Sequence, residues 1–335
     1  MAGRGDYDMK KHGRIVLAAA AVALAAAAVL GIYFLGHRTA GTQKRIIFIP
    51  KIIDEENDFW VQLLEGAGMA AQEYGMEITV AAPEQENDFQ RQNELINWAV
   101  SERPDAIMIA PSSYTESAAA VNAVRQSGIP LVLVDSDVEG GEGLVKVATD
   151  NVEAGRVQGD FMKGFLYGDV KIALVCHVEG SSTALEREKG VRRGLGEYED
   201  RIVDVVFCDS DYDKAYSLMN EIIDRHPDVT MVAGLNEYSA VGAARAIIDR
   251  GLTDQISMVG FDSSLEEIQL LEEGVFEGIV IQNPYKMGYL GAEAAAKMAN
   301  GEKVNGTIDS GCKLVTKEEV FTEENQKILF MFTEE

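Results

Sequence analysis

The chain has 335 residues, and 47% of them are hydrophobic, so it can build substantial cores and is not a disordered protein. Its formal net charge of −25 argues against a nucleic-acid-binding protein, because phosphate contacts require clusters of lysine and arginine. Three cysteines in a chain of this length do not form a disulfide framework. The length indicates more than one domain.

The charge is divided unevenly along the chain. Residues 1–45 carry seven basic and two acidic residues, a net charge of +5, and the remainder carries −30. Within the first part, residues 15–35 form a stretch of 21 residues without a charged side chain. As a helix, this stretch would span the roughly 30 Å of a bilayer core. Lys10, Lys11 and Arg14 precede it and favour a cytoplasmic N-terminus.

We predict that the apolar stretch is an uncleaved signal anchor. Residues 1–14 would then lie in the cytoplasm, residues 15–35 in the membrane and residues 36–45 in a linker. A cleaved signal peptide is the alternative, but its apolar region would be shorter, and Arg38 stands where a small residue is wanted. A lipid anchor would need a cysteine just after the apolar stretch, whereas the first cysteine is Cys176.

Residues 46–335 are expected on the extracytoplasmic side of the cell membrane, whichever interpretation holds. Short apolar runs alternate here with amphipathic stretches, as at residues 46–50, 106–110 and 131–134. This alternation predicts an α/β fold with doubly wound parallel sheets that carry helices on both faces.

An internal repeat predicts two such Rossmann-like lobes. The sequence PDAIMIA at residues 104–110 parallels PDVTMVA at residues 227–233. A second pair of apolar strands, one in each half, runs into Asp135 and Asp262. Open α/β sheets bind ligands at the carboxyl ends of their strands. Two lobes that face each other would therefore form a cleft with one aspartate on each wall.

The sequence lacks the common enzyme motifs. It contains no GxxxxGK[ST] loop, no GxGxxG between a strand and a helix, no GxSxG elbow, no HExxH and no CxxC. The four histidines are too scattered to form a histidine-based metal cluster. We therefore expect a binding protein without a cofactor or metal, and not an enzyme.

Polar and aromatic residues collect instead at the predicted strand ends. Planar polar side chains can each bind two neighbouring hydroxyls, and aromatic rings cover the apolar faces of a sugar. Such a set suits a pocket for a small polyol. The candidates are Asn57, Phe59, Trp60, Asp135, Ser136, Arg187, Tyr212, Asn236, Asp262 and Gln282.

Several candidates also have an ordinary structural interpretation. Asn57 and Asn236 could be helix caps, Phe59 and Trp60 could be core residues, and Arg187 could form a surface ion pair. These interpretations suit most of the residues one at a time. Their joint position at one edge of two sheets favours a ligand pocket.

The chain from residue 46 to about 325 resembles the type I periplasmic binding proteins for sugars, particularly those related to the ribose-binding protein. The motifs that carry the resemblance are NDFW (57–60), VDSD (134–137), ATDN (148–151), LERE (185–188), HPDV (226–229), GLNEYSAVGA (234–243), VGFD (259–262), IQNP (281–284) and KLVTKE (313–318). The resemblance implies that nine of the ten candidates above are ligand contacts, and the tenth, Ser136, occupies the position of a family contact with a changed side chain.

The resemblance also implies two lobes joined by a three-strand hinge. The crossings would lie near Thr149 and Asp150, near Gln282 and Asn283, and near Gly311 and Cys312. The N-terminal lobe would be residues 46–149 plus 283–311. The C-terminal lobe would be residues 150–282 plus 312–335.

Three departures from the ribose binders weigh against plain ribose as the ligand. Ser136 stands where they carry an arginine, so one strong donor is lost. The loop before Asn57 is longer and acidic, and Asp58 replaces a proline. Lys51 adds a cation near the end of the first strand, and it could serve a ligand with a carbonyl or acidic group.

The resemblance implies an extracytoplasmic substrate-binding protein that captures a monosaccharide or related polyol for the permease of an ABC importer. The alternative is a membrane-anchored sensory subunit that signals to a histidine kinase or chemoreceptor. The related gene repressors carry a DNA-binding helix-turn-helix where this chain has its apolar stretch, which excludes that role. We expect a monomer that binds no nucleic acid.

Overall fold

The computed structural model describes residues 43–329, so the predicted signal anchor at residues 15–35 lies outside the described residues. Among the helices of the described part, none combines the length and apolar composition that a bilayer span requires.

In the described part of the chain, twelve strands form two six-stranded sheets. The strands are β1 (Arg45–Ile49), β2 (Glu77–Val80), β3 (Ala106–Ile109), β4 (Leu131–Val134), β5 (Val145–Ala148), β6 (Ile172–Cys176), β7 (Ile202–Phe207), β8 (Met231–Gly234), β9 (Ser257–Phe261), β10 (Phe276–Gln282), β11 (Thr307–Asp309) and β12 (Cys312–Val315). The first sheet has the order β11-β5-β4-β3-β1-β2 and the second has the order β12-β10-β9-β8-β6-β7.

The helices are α1 (Asp58–Glu73), α2 (Phe89–Ser101), α3 (Ala118–Ser127), α4 (Asn151–Met162), α5 (Ser182–Leu195), α6 (Tyr212–Arg225), α7 (Glu237–Asp249), α8 (Leu265–Glu273), α9 (Pro284–Ala299) and α10 (Glu323–Leu329). Short 3₁₀ turns span Lys163–Phe165 and Gly196–Arg201. Eight of these helices start after an Asn, Asp or Ser whose side-chain oxygen accepts a backbone amide of the first turn.

The two sheets repeat one design, as the sequence repeat predicted. β3 and β8 occupy corresponding places, and so do β4 and β9. The pairs within the first sheet are parallel, and in the second sheet β12 alone pairs antiparallel, with β10. The central strands β3, β4 and β6 are buried over their whole length, as expected for sheets covered on both faces.

The chain passes between the sheets at three places. It leaves the first sheet after β5 through Thr149 and Asp150, and it returns after β10 through Asn283. It crosses again between β11 and β12 through Ser310 and Gly311. We use "N-terminal lobe" for the first sheet with its helices and "C-terminal lobe" for the second. The hydroxyls of Thr149 and Ser310 lie 3.2 Å apart and tie two crossings together.

The three cysteines are free thiols. Cys176 and Cys208 are buried at the ends of β6 and β7, and the backbone amide of Cys208 donates to the Cys176 carbonyl at 2.9 Å. Burial raises the pKa of the Cys208 thiol to about 12, so this thiol is not a reactive thiolate at neutral pH.

Candidate functional site

One cavity between the lobes brings together most of the predicted residues. It contains about 310 Å³ of space not filled by protein atoms, part of which is open to solvent. Nine of the eleven residues named from the sequence line it. They are Lys51, Asn57, Phe59, Trp60, Asp135, Arg187, Asn236, Asp262 and Gln282.

The other two predicted residues lie directly behind this lining. The hydroxyl of Ser136 donates to the Asp135 carboxylate at 2.5 Å. The hydroxyl of Tyr212 donates to Glu237 at 2.6 Å and lies 3.5 Å from the Asn57 amide nitrogen. Within the described chain, these two residues support cavity residues and do not line the cavity themselves.

The two aspartates of the cavity adopt an unusual backbone conformation. Asp135 directly follows β4 with a φ of 64°, and Asp262 directly follows β9 with a φ of 89°. Left-handed backbone is uncommon for residues with a Cβ, although aspartate tolerates it better than most. Strain of this kind concentrates at functional sites, where the surrounding fold holds the side chain in place.

Lys51 and Asp135 form a buried ion pair at the N-terminal wall. The ammonium nitrogen lies 2.8 Å from the carboxylate, and each side chain is 4% exposed. Burial opposes ionisation of Asp135, but the Lys51 charge and the hydrogen bonds from Lys51 and Ser136 outweigh it, so the pKa of Asp135 is lowered. Lys51 also donates to the Thr183 hydroxyl at 3.3 Å. Its charge is therefore paired within the protein.

Arg187 is buried in the opposite wall and is not part of a surface ion pair. Its guanidinium donates to the Asn151 side chain at 2.8 Å and to the Leu235 carbonyl at 2.7 Å. The guanidinium carbon lies 3.9 Å from the centre of the Phe261 ring. These contacts fix the plane of the fork, which suits it to bind neighbouring oxygens in one orientation.

Asp262 and Gln282 form the acceptor part of the same wall. The Gln282 side-chain nitrogen donates to Asp262 at 2.6 Å, and the Glu237 backbone amide donates to the other carboxylate oxygen at 3.0 Å. Burial raises the pKa of Asp262, and Arg187 partly offsets that effect. The Gln282 side-chain oxygen is buried without a hydrogen-bond partner, so it can accept a bond from a ligand.

Asn57 and Asn236 are helix caps that also line the cavity, so both interpretations of these residues hold. The Asn57 side-chain oxygen accepts the Trp60 amide at 3.1 Å, and the Asn236 oxygen accepts the Ser239 amide at 3.0 Å. Capping uses the oxygen in each case and leaves the amide nitrogen as a donor. Each helix therefore begins at the cavity and presents a side-chain donor there.

Phe59 and Trp60 form the aromatic wall at the start of α1. Their ring centres are 5.1 Å apart and the ring planes meet at 87°, an edge-to-face contact. Trp60 is buried, and its indole nitrogen donates to the Glu86 carboxylate at 2.7 Å. The two rings provide the apolar surface that the C–H face of a sugar would contact.

Four residues of the lining were not predicted from the sequence. They are Glu86, His177, Thr183 and Tyr238. His177 directly follows β6, so its position at a strand end, like that of Asp135, is the signal that could have identified it. Thr183 and Tyr238 lie in the first turns of α5 and α7, where helix starts meet the cavity.

His177 is a neutral imidazole in this environment. Burial, with smaller contributions from Arg187 and Lys51, lowers its pKa well below the usual value. Its Nε2 lies 2.8 Å from the Thr183 hydroxyl, and its Nδ1 is buried without a hydrogen-bond partner.

Direct hydrogen bonds close the cleft around the cavity. The Tyr238 hydroxyl of the C-terminal lobe donates to Asp54 at 2.6 Å, and the Leu265 backbone amide donates to Asp58 at 3.0 Å. At another edge the Asp137 backbone amide donates to the Ser182 hydroxyl at 2.7 Å. Asp54 belongs to the acidic loop before Asn57, and Asp58 is the first residue of α1, so the loop and the start of that helix form part of the closed rim.

The part of the chain from residue 43 to 329 contains no group of three or more His, Cys, Asp or Glu side chains that could hold a metal ion. The polar groups of the cavity instead suit a ligand with several oxygen atoms on a small ring.

Comparison with known proteins gives one consistent family. The model for the periplasmic binding protein domain matches residues 46–303. The chain is 27% identical over 309 residues to the ribose import binding protein of Bacillus subtilis, an alignment that covers 92% of this chain and 100% of the relative.

Solved structures agree with this assignment. A sugar transporter from Clostridium phytofermentans superimposes with a TM-score of 0.78 and 41% identity, over 82% of this chain and 100% of that one. An ABC transporter solute-binding protein from Agrobacterium vitis with bound D-fucose has a TM-score of 0.81 and 27% identity, over 85% of this chain and 99% of that one.

Proposed function

Because this chain belongs to the periplasmic binding protein family, we propose that it captures a monosaccharide or related polyol between its lobes and delivers it to an ABC importer. It is an extracytoplasmic binding protein and not an enzyme. The observation that carries the proposal is the cavity itself, where two left-handed aspartates, a fixed arginine fork and an aromatic pair converge from both lobes.

The eleven residues named from the sequence are proposed as ligand-binding residues in two groups. Nine contact the ligand directly, and Ser136 and Tyr212 act through Asp135 and Asn57. The Arg187 fork, the Asn57 and Asn236 nitrogens and the Gln282 oxygen offer donors and an acceptor for ring hydroxyls. Phe59 and Trp60 offer the apolar surface for the sugar face.

Ligand capture works by hinge closure in this proposal. We place the N-terminal lobe at residues 46–149 plus 283–311 and the C-terminal lobe at residues 150–282 plus 312–335. A ligand that contacts both walls binds the closed form more tightly than the open one, so it shifts the population to the closed form. The importer permease would recognise that closed form.

Membrane attachment is a separate part of the proposal and rests on the sequence. The uncharged stretch at residues 15–35 would anchor the protein, with the binding lobes outside the membrane as a monomer. Fractionation of cells that express the full chain should place it in the membrane pellet after a high-salt wash. Recovery of a protein shortened to begin near residue 40 in the soluble fraction would contradict the anchor.

The anchor also favours a second candidate, a sensory subunit for a membrane kinase or chemoreceptor. Uptake of radiolabelled sugar separates the two roles. Deletion of the gene should abolish uptake of the sugar that the purified chain binds. Normal uptake together with loss of the transcriptional or chemotactic response to that sugar would support the sensory role and contradict transport.

A further inference from the structure

Glu86 occupies a place between the aromatic wall and the opposite lobe. It lies in the loop between β2 and α2, is 4% exposed and lines the cavity. One carboxylate oxygen accepts the Trp60 indole N–H at 2.7 Å. The other accepts the Ser210 hydroxyl at 2.8 Å. Trp60 and Glu86 belong to the N-terminal lobe and Ser210 to the C-terminal lobe, so one carboxylate joins a cavity ring to the far wall.

The turn that carries Ser210 has a strained backbone. Asp209 and Ser210 both have a φ of 56°, two consecutive left-handed residues that are not glycine. Such conformations are unfavourable for residues with a Cβ, and they persist where the surrounding structure holds them. The Asp209 backbone amide donates to the His177 carbonyl at 2.8 Å and helps to hold the turn. The turn delivers the Ser210 hydroxyl to the carboxylate.

We propose that Glu86 is a positioning residue that couples the orientation of the Trp60 ring to closure of the lobes through Ser210. The proposal rests on the proposed function, because a sugar would contact the ring that Glu86 orients. One of the two groups that donate to Glu86 is the Trp60 indole, so the carboxylate acts on the position of that ring through a direct hydrogen bond. When the lobes separate, the carboxylate loses the Ser210 bond, and the ring loses part of its fixed position.

Tryptophan fluorescence of the full chain, without any sugar, tests this coupling. The chain has two tryptophans, so Trp98→Phe leaves Trp60 as the sole emitter. In that background Ser210→Ala removes the hydroxyl and should shift the Trp60 emission maximum. Glu86→Ala removes both acceptor oxygens and therefore the bridge between Trp60 and Ser210. In the presence of Glu86→Ala, the change Ser210→Ala should give no further shift.

A matched control uses another hydroxyl at the same interface. Ser182 also bridges the lobes, through the Asp137 amide, but it does not contact Glu86. Ser182→Ala should therefore leave the Trp60 emission maximum unchanged. If circular dichroism shows that Ser210→Ala does not fold, Ser210→Gly gives the same test, because glycine readily adopts the positive φ of this position.

Denaturant unfolding of the same variants gives a second measurement. Ser210→Ala should raise the unfolding equilibrium constant about tenfold, as expected for a lost hydrogen bond to a charged group. The variant that carries both changes should be no less stable than the less stable of the two single variants. The proposal would be overturned if the two changes lowered the unfolding stability additively. It would also be overturned if Ser210→Ala left the Trp60 emission maximum unchanged, or if it shifted that maximum equally with and without Glu86. Failure of every sugar to bind would instead contradict the proposed function and leave these results intact.

Discussion

Asp135 and Asp262 are equivalent residues on the two walls of the cavity. Each follows the buried strand at the corresponding place of its sheet, and each has a positive φ. The Asp135 backbone amide donates to the Val147 carbonyl of β5 at 2.9 Å. The Asp262 amide donates to the Val280 carbonyl of β10 at 2.8 Å. The same turn, built twice, thus holds a carboxylate at the same edge of each lobe.

Their environments differ, although their backbones match. Asp135 has a lowered pKa beside Lys51, whereas burial raises the pKa of Asp262. Asp135→Ala and Asp262→Ala should each reduce sugar affinity at least a hundredfold, because each removes a buried acceptor that a ring hydroxyl needs. Isothermal titration calorimetry with the sugar found by thermal shift measures this loss.

The exposed Asp228→Ala is the control for both variants, because Asp228 pairs with Lys171 at the surface, away from the cavity. It should retain the affinity of the unchanged chain. Full affinity in both Asp135→Ala and Asp262→Ala would show that the ligand binds elsewhere.

The Lys51–Asp135 pair should be costly to break from one side. Lys51→Met leaves the buried Asp135 carboxylate without its ammonium partner, which should lower the free energy of unfolding by about 3–5 kcal/mol. Lys51→Met with Asp135→Asn removes both charges and should cost less than Lys51→Met alone. Urea unfolding followed by circular dichroism measures both. A single variant as stable as the unchanged chain would contradict the buried pair.

Glu237 should make stability depend on pH. Burial, with the nearby Asp262 and Asp58 charges, raises its pKa from 4.5 to about 8, although the Tyr212 hydroxyl donates to it. The folded chain therefore disfavours the ionised form. This penalty is absent below about pH 4.5, grows as the pH rises, and is complete above about pH 8.

Glu237→Gln removes that penalty and preserves the shape of the side chain. It should raise the melting temperature little at pH 5 and more at pH 8.5. The exposed Glu272→Gln is the control and should give the same small difference at both pH values. The raised pKa would be contradicted if the difference in melting temperature between Glu237→Gln and the unchanged chain were the same at both pH values, or smaller at pH 8.5.

The helix that carries the aromatic wall should tolerate one glycine change but not another. A Cβ at Gly66 in α1 would lie 2.0 Å from the Tyr285 carbonyl oxygen of α9, whereas a Cβ at Gly68 would have no atom within 4 Å. Overpacking usually costs about 1–3 kcal/mol, and Gly66→Ala should lower the free energy of unfolding by more than this. Gly68→Ala should stabilise it by up to about 1 kcal/mol, because alanine favours a helix. Equal melting temperatures for the two variants would contradict this close packing of helices.

Much of this architecture could be predicted from the sequence, because the buried strands of parallel sheets appear as short apolar runs that recur along the chain. The apolar runs at β3 and β4 recur at β8 and β9, and this repeat predicted the two lobes and the sheet edge where the ligand would bind. The assignment of α9 to the N-terminal lobe was implied only by the resemblance to a known family. The chain changes lobes between β10 and α9, and local periodicity does not show which sheet a segment joins.

The predictable part of the site consists of residues directly after strands. The pairing of Lys51 with Asp135 could not be predicted, because the two residues are 84 positions apart and meet only through the order of β1, β3 and β4. Glu86 could not be singled out among 55 acidic residues, since its role depends on contacts with Trp60 and with the opposite lobe.

A thermal shift measurement with a sugar panel tests the central claim most directly. The full chain would be melted alone and with D-ribose, D-allose, D-arabinose, D-fucose, D-galactose, D-glucose and D-xylose in turn. At a hundredfold excess over its dissociation constant, a ligand that binds only the folded state adds about 2.7 kcal/mol. The melting temperature should rise by several degrees with at least one sugar, and Asp262→Ala should abolish that rise. No shift with any sugar, or a shift that Asp262→Ala preserves, would contradict a sugar-binding cleft between these lobes.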